Sequence, residues 1–442
     1  YQKTVNLYAE PSRLGRSTFS LYPTPGYTVF SNIGLGEMRG GIVFGGNLYT
    51  VSGKQFFRVS STGTPTVLGT LASPTGVVNF SHNGTEIIFV DGSRGYLYNP
   101  ETATFTPDIS AVDADFPNGA THVEFFDGYF IVNDPSASGR YRFSASYDGL
   151  DWPAESFASA ERSPDSLQGI AVNGRELWLI GTETAEPWYN AGAPVVPFEP
   201  VQSGFSEWGC AAPYSIATNN GTIFWLTSNG EGDGQVVAAT GMNPKVISTD
   251  AIADTISGFD TIDDAFGWTY NYQRHSFYVL TFPTEDKTIV YDIVTQQWHE
   301  WSSEGEDKRH VANFHVFFNE EHIVGSYKVG QLFALDWDVY TETGEKIHRV
   351  RRSHLIHNGN DDYIFHHKVK VDFDTGVGDT ATPEPQALLR WTDDGKTFSN
   401  ELWRTIGSQG EYHTTVEWRK LGRAKYRAYE VKVTDPVKVV IA

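Results

Sequence analysis

The chain has 442 residues, of which 33 are basic and 54 acidic, and its formal net charge is −21. The single cysteine, Cys210, excludes a disulfide framework within one chain, and no apolar run approaches the about 18 residues of a membrane-spanning helix. Residues 346–442 carry 16 basic and 13 acidic side chains, a net of +3, so the preceding residues carry −24. The acidic part is a poor DNA-binding surface because phosphate binding needs clustered Lys and Arg. The change of sign near residue 346 also indicates a domain boundary.

Residues 1–37 form an N-terminal lead-in with a rigid turn at residues 22–26. Within it, residues 28–33 are a candidate strand that closes a ring of strands formed by the rest of the chain. This expectation depends on the repeat that follows.

A tight polar turn followed by an aromatic and β-branched strand recurs along the chain. The strands lie at residues 48–51, 87–90, 129–132, 177–180, 223–226, 277–280 and 323–324. Several follow Asn-Gly or Asp-Gly, which accept the positive φ angles of a type I′ hairpin turn. The mean spacing of about 46 residues matches the period of four-stranded propeller blades.

One unit shows the pattern in full, with predicted strands at residues 264–272 and 275–282 and a hairpin at 288–301. One such blade cannot bury both faces, so the repeat predicts a radial array. We expect an all-β chain with about seven four-stranded blades over residues 38–353. A β-sandwich made of hairpins is the alternative, although it would not need so even a spacing.

The remaining elements are a short helix at residues 249–256 and a C-terminal domain at residues 354–442. The domain has longer alternating strands, which suit a β-sandwich with one face in solvent. They are predicted at residues 363–373, 386–392, 412–421, 425–434 and 437–441.

The sequence offers little support for catalysis or cofactor binding. It has no G-x-S-x-G motif, and Arg390 stands where a P-loop ending at Gly395-Lys396-Thr397 requires glycine. His366 and His367 are adjacent on a predicted strand and face opposite sides, so they cannot jointly chelate a metal. We therefore predict no catalytic, cofactor-binding or metal-binding residue.

Two turns keep an enzyme alternative open. Ser146-x-Asp148-Gly149-x-x-Trp152 and Thr392-x-Asp394-Gly395-x-x-Phe398 resemble the Asp-box of sialidase-type propellers. A sialidase-like glycosidase would also need three converging arginines. A kelch-like monomeric module that binds one partner through its loops is the other alternative.

Distinctive motifs are spread along nearly the whole chain: NLYAE at 6–10, ELWLIG at 176–181, EPWYNAG at 186–192, GCAAPYS at 209–215, LTFP at 280–283, RWTDDG at 390–395 and TDPVK at 434–438. Together they resemble the packaged-DNA stabilisation proteins of short-tailed bacteriophages. The resemblance implies a virion structural protein, the tail hub, made in the host cytoplasm and located in the phage tail.

The same resemblance implies partners rather than substrates. In that family a homo-hexameric ring lies below the portal and head-to-tail adaptor, receives the tail needle or plug, and carries tailspikes or fibres. It retains packaged DNA until ejection. An acidic protein along the DNA path would let DNA pass without specific binding.

Two basic strings stand out and are the predicted subunit or adaptor interface. They comprise Arg349, Arg351 and Arg352 in the first string, and Arg419, Lys420, Arg423, Lys425 and Arg427 in the second. These side chains either attract acidic surfaces of neighbouring molecules during assembly, or lie at exposed strand edges and prevent unwanted strand pairing.

Overall fold

The computed structural model describes residues 2–11, 18–160, 165–228 and 234–442. Four strands precede the first propeller blade: β1 (Lys3–Val5), β2 (Leu7–Pro11), β3 (Phe19–Pro23) and β4 (Gly26–Asn32). β2 and β3 form a two-stranded antiparallel sheet, whereas β1 and β4 join sheets formed much later in the chain.

Five sheets of four consecutive antiparallel strands follow, and they are the first five propeller blades. Blade 1 contains β5 (Met38–Phe44), β6 (Asn47–Ser52), β7 (Gln55–Val59) and β8 (Pro65–Thr70). Blade 2 contains β9 (Asn79–His82), β10 (Ile87–Val90), β11 (Gly95–Asn99) and β12 (Thr104–Thr106). Blade 3 contains β13 (Val123–Phe126), β14 (Tyr129–Asn133), β15 (Arg140–Phe143) and β16 (Phe157–Ser159).

Blades 4 to 6 continue the same pattern. Blade 4 contains β17 (Leu167–Asn173), β18 (Glu176–Gly181), β19 (Ala185–Asn190) and β20 (Phe198–Pro200). Blade 5 contains β21 (Ala217–Asn219), β22 (Thr222–Ser228), β23 (Gly234–Thr240) and β24 (Asn243–Val246). After helix α1 (Asp250–Ser257), blade 6 contains β25 (Phe266–Tyr272), β26 (His275–Phe282), β27 (Lys287–Asp292) and β28 (Gln297–Glu300). Short 3-10 helices occupy Ile109–Ala111 and Pro213–Ser215.

A further four-stranded unit is composite, because only three of its strands are consecutive. β29 (Ala312–Phe318), β30 (Glu321–Ser326) and β31 (Gln331–Asp336) are completed by β4, which pairs antiparallel with β31. The predicted array of about seven units therefore consists of six contiguous blades and this composite one. The first strands of the units contact one another in order from β5 to β29, and β29 returns to β5.

The recurring strand predicted from sequence is the second strand of its unit in every case. The Asp127-Gly128 and Asn220-Gly221 turns have positive φ at both residues, 46° and 95° in the first and 47° and 79° in the second, as a type I′ turn requires. Each pair of neighbouring units encloses its own apolar cluster. The rings of Phe56 in blade 1 and Phe89 in blade 2, for example, lie 4.7 Å apart between centroids. The core is thus divided among the blade interfaces.

The C-terminal domain packs two layers around a separate core that includes Trp418, Leu389 and Val431. After the hairpin of β32 (Thr341–Glu342) and β33 (Glu345–Lys346), its strands are β34 (Arg349–Arg352), β35 (Ile364–Phe365), β36 (Lys368–Val371), β37 (Gln386–Thr392), β38 (Leu402–Thr405), β39 (Val416–Arg419), β40 (Arg423–Ala424) and β41 (Ala428–Val433). One layer contains β34, β41, β37 and β38, and the pairs β35–β40 and β36–β39 supply the other. The all-β class with a propeller followed by a sandwich is confirmed.

Strand β1 joins the two domains into one nine-stranded sheet. It pairs in parallel with β28 of blade 6, at Val5 and Glu300, and antiparallel with β34 of the sandwich, where Lys3 lies opposite Arg352. The next residue, Asn6, is buried at φ 54°, and its amide donates hydrogen bonds to the carbonyls of Ser302 and His348 at 2.9 and 3.0 Å. Strand β1 therefore belongs to the sheet that joins the propeller and the sandwich, rather than to a separate lead-in.

Two sequence predictions about the sandwich differ from the structure. Its sheet already begins at β34, ahead of the boundary placed at residue 354, because β34 pairs with β41 along its length. Residues 437–441 form no regular strand, since their pairing is limited to isolated bridges from Ile441 to Leu21 and Phe373. Within the described ranges, no helix is long and apolar enough to cross a membrane.

Candidate assembly surface

The first basic string lies on β34, where alternate side chains meet different surroundings. Arg349 is 1% exposed and donates to the carbonyls of Tyr340 and Asp435, each at 3.4 Å. Its guanidinium also lies 5.7 Å from the centre of the Tyr340 ring, and burial lowers its pKa to about 10. Arg349 therefore cannot reach a neighbouring subunit, which corrects its assignment to the interface.

Arg352 is held by a carboxylate inside the sheet. Glu430 on β41 is fully buried and accepts a hydrogen bond from Arg352 Nε at 2.8 Å and another from Arg390 on β37. The Phe398 ring lies 5.0 Å from the Arg352 guanidinium and 4.3 Å from that of Arg390. The charge of Arg352 is thus balanced internally.

A second carboxylate extends this network across the domain junction. Glu306, in the segment between β28 and β29, lies 3.6 Å from Arg390 and 3.7 Å from His348 Nδ1, and it pairs closely with Lys432 on β41. The proximity of His348 and the ion pair with Lys432 outweigh burial and lower the pKa of Glu306 to about 2. Opposite charges therefore reinforce the sheet that joins the domains.

Arg351 points away from these partners. It is half-buried, donates a hydrogen bond to Thr4 Oγ1 on β1, and lines a groove beside β36. Burial lowers its pKa. This residue of the first string thus borders an accessible cavity.

The second string contains one buried residue. Arg427 is 3% exposed, and its guanidinium donates to both carboxylate oxygens of Asp393 at 2.6 and 2.8 Å. It also lies 5.0 Å from the centre of the Trp391 ring. A buried bidentate ion pair over an aromatic ring stabilises the domain internally. Arg427, like Arg349, is therefore removed from the candidate surface.

Arg423 and Lys425 instead lie beside an exposed aromatic surface. Their charged groups are 4.7 and 5.6 Å from the centre of the Tyr363 ring, and Lys425 Nζ pairs with Asp361 at 2.9 Å. Tyr363 is 55% exposed and Phe365 62% exposed, and Tyr426 is also exposed. We call Tyr363, Phe365, Arg423, Lys425 and Tyr426 the β35–β40 patch.

The other two residues of the string flank this patch. Arg419 is exposed and pairs with Glu417, and Lys420 is exposed at φ 61° in the turn before β40. Sequence reasoning found the cations but missed Tyr363 and Phe365. The available signal was the interleaving of Tyr and Phe with basic residues on two paired strands, a composition enriched in protein interfaces.

The turns that resemble an Asp-box have a structural explanation. Asp148 Oδ1 accepts the Leu150 N–H at 2.9 Å, while the buried Trp152 donates its indole N–H to the Gly149 carbonyl at 2.9 Å. In the second turn, hydrogen bonds from the backbone of Thr397 and Lys396 lower the pKa of Asp394. Both carboxylates cap turns.

Other chemically active groups are buried or dispersed. Burial raises the pKa of the Cys210 thiol to about 12, and its sulfur lies 3.0 Å from the Ala212 carbonyl. His366 and His367 lie between β35 and β36. In the described part of the chain, no group of three or more His, Cys, Asp or Glu side chains is placed to hold a metal ion.

Two family models match the chain, one for each domain. The model described as the β-propeller of bacteriophage P22 Gp10 matches residues 2–340, and the model of the Gp10 β-sandwich matches residues 348–442. The chain belongs to this family. Members of the Gp10 family are phage stabilisation proteins, so the protein is a structural component of a bacteriophage.

No curated protein matches the sequence. Solved structures that resemble this Gp10-family chain are distant in sequence. The extracellular domain of the putative hybrid two-component system BT4673 from B. thetaiotaomicron has 9% identity and a TM-score of 0.46, and the match covers 86% of this chain and 47% of that one. The N-terminal domain of Nup159 has 9% identity and a TM-score of 0.43, covering 75% of this chain and 98% of that one. The WD40 β-propeller domain of Doa1 has 11% identity and a TM-score of 0.41, covering 70% and 97%.

Proposed function

We propose that this protein is the tail hub of a short-tailed phage. Six copies form a ring below the portal and head-to-tail adaptor, receive the tail needle or plug, and carry tailspikes or fibres. The ring keeps packaged DNA inside until ejection and acts without turnover. The protein is made in the host cytoplasm and resides in the virion tail.

The observation that carries this proposal is the match of both Gp10 domain models, in order, over nearly the whole chain. Charge supports the retention mechanism. The residues before 346 carry −24, so an acidic surface along a DNA path repels phosphates and lets DNA slide. Retention then comes from blocking the channel rather than from binding DNA.

We further propose that the β35–β40 patch, with Arg419 and Lys420, contacts an acidic surface on a neighbouring subunit or on the adaptor. The exposed aromatic rings supply contact area, and the cations steer the approach. Because rim charges act mainly on association rate, assembly should weaken as salt rises.

Cryo-electron microscopy of the intact virion tests the hub. We expect the propeller and sandwich to fit six times around the tail axis, below the adaptor. Density that places the chain elsewhere, or in another copy number, would contradict the proposal. Incubation of the purified protein with sialyl and aryl glycosides should release no product above buffer.

Charge reversal tests the surface separately. The triple variant Arg419→Glu, Arg423→Glu and Lys425→Glu should keep its circular dichroism spectrum and form fewer rings in sedimentation velocity. A matched control reverses three exposed propeller cations, Lys54, Arg58 and Lys245, and therefore changes net charge equally. Equal assembly of the two triple variants at every salt concentration would remove this patch from the interface.

A further inference from the structure

Strand β36 has one paired edge and one open edge. It pairs with β39 from Lys368 opposite Arg419 to Val371 opposite Val416, and no other described strand pairs with β36. Just beyond it the open side is occupied, since Ala442 N–H donates to the Asp372 carbonyl at 2.8 Å and Asp374 N–H to the Val440 carbonyl at 3.0 Å. Antiparallel ladders alternate, so the backbone groups of Lys370 and Lys368 face this same open side.

A groove of about 500 Å³ lies along that edge, between β36 and the layer that contains β34 and β41. Its floor is apolar and includes Val369, Val431 and Ile441. His366 Nε2 is buried there without a hydrogen-bond partner in the described part of the chain. An extended segment laid along β36 would complete the ladder and cover these apolar side chains.

The rim of the groove is cationic, with Arg351, Lys368 and Lys370 among its lining residues. The two lysines are about half exposed, and their Nζ atoms lie 3.4 Å from Glu417 and 2.7 Å from Asp372. Surface pairs of this kind contribute little stability and exchange easily. An acidic partner can therefore take their place.

We propose that this groove binds an extended, acidic segment of another virion protein as an added β-strand. The open ladder selects an extended backbone, the rim selects carboxylates, and the floor selects apolar side chains at alternate positions. Every described strand of this chain already belongs to a sheet, so none of them supplies the added strand, and we assign the segment to a different virion protein. Because binding is measured on a single chain, the proposal does not depend on the hexameric ring.

A fluorescein-labelled decapeptide of alternating acidic residues and valine is the probe, and fluorescence anisotropy with the full chain is the measurement. We expect saturable binding that falls about tenfold or more when alternate peptide amides are N-methylated, because methylation removes the ladder donors. A peptide of the same composition with its acidic residues and valines in two blocks should lose a similar factor.

Variants of the protein test the rim. Lys368→Glu with Lys370→Glu should weaken binding about tenfold or more, whereas Lys245→Glu with Lys396→Glu, an equal charge change away from the groove, should stay within about twofold. The proposal is overturned if the alternating peptide does not bind, or if the methylated and block peptides bind equally well. It is also overturned if a DNA oligonucleotide displaces the peptide more effectively than unlabelled peptide does, since the groove would then be a phosphate site.

Discussion

The two basic strings have similar sequences but different structural positions. On β34, Arg349 and Arg352 are tied to carbonyl groups and to the buried Glu430, and the strand lies in the middle of the sheet that joins the domains. Around β40, Arg423 and Lys425 stand in solvent beside Tyr363. Only Arg427 of the second string is internal.

The comparison shows that strand position decides what a basic run does. A central strand buries alternate side chains against its neighbours, so cations there require carboxylates or carbonyl groups as partners. A short edge strand leaves the same side chains free to meet another molecule. A run of basic residues in the sequence therefore identifies candidate interface residues. The neighbouring strands in the sheet then decide whether those side chains are buried with partners or exposed to another molecule.

The largest expected effect is at the centre of the first string. Glu430→Ala should lower the free energy of unfolding by about 3–5 kcal/mol, because Arg352 and Arg390 lose their buried carboxylate. Urea denaturation measures the change.

The matched control is Glu417→Ala, which removes a carboxylate that pairs with Arg419 at the surface. The loss of stability should be much smaller than for Glu430→Ala, because surface ion pairs contribute little. If Glu430→Ala and Glu417→Ala lower the free energy of unfolding equally, burial does not explain the difference between the two basic strings.

The next effect separates two residues of the second string. Arg427→Ala should cost about 2 kcal/mol, because it removes a bidentate pair with Asp393 and leaves that carboxylate half exposed. Arg423→Ala should change the free energy of unfolding by less than about 0.5 kcal/mol. If thermal denaturation shows that Arg423→Ala lowers stability more than Arg427→Ala does, the distinction between a buried, paired arginine and an exposed one is wrong.

The last effect is the pH dependence of stability at the domain junction. The pKa of Glu306 falls from its usual 4.5 to about 2 in the folded chain, so its contribution is present above pH 4.5 and disappears as pH falls toward 2. Glu306→Gln should therefore lower stability at pH 6 by about 2 kcal/mol, and the difference from wild type should vanish near pH 2.

Lys432→Met removes a partner of Glu306 and provides the control. In that background, Glu306→Gln should cost less at pH 6, because the two substitutions remove the same interaction. A difference between wild type and Glu306→Gln that stays constant from pH 6 to pH 2 would contradict the assigned role of Glu306.

Local signals made much of the fold predictable. Turns such as Asp127-Gly128 and the aromatic strands after them depend on neighbouring residues, so the second strand of every unit was found. Strand β1 was missed because its three residues gain their partners only from Glu300 and β34. Strand β38, which is mostly exposed, was missed because it lacks an apolar pattern.

The candidate site was predictable in composition but not in exposure. Arg423 and Arg427 are equivalent in the sequence, and only the approach of Asp393 and Trp391 distinguishes them. The open edge of β36 was likewise invisible, because the absence of a partner strand is a property of the whole sheet.

The placement of β1 and β4 has a consequence for the order of folding during synthesis. Both strands are synthesised before the blades, yet β4 pairs with Gln331–Asp336 and β1 with Arg349–Arg352. The first six blades can form as they emerge, but the propeller closes, and the sandwich is joined to it, only when the last quarter of the chain is being made. Contacts between such distant residues form slowly, and unpaired edges invite aggregation meanwhile. A nascent chain that stops before residue 331 therefore leaves β4 without its partner strand.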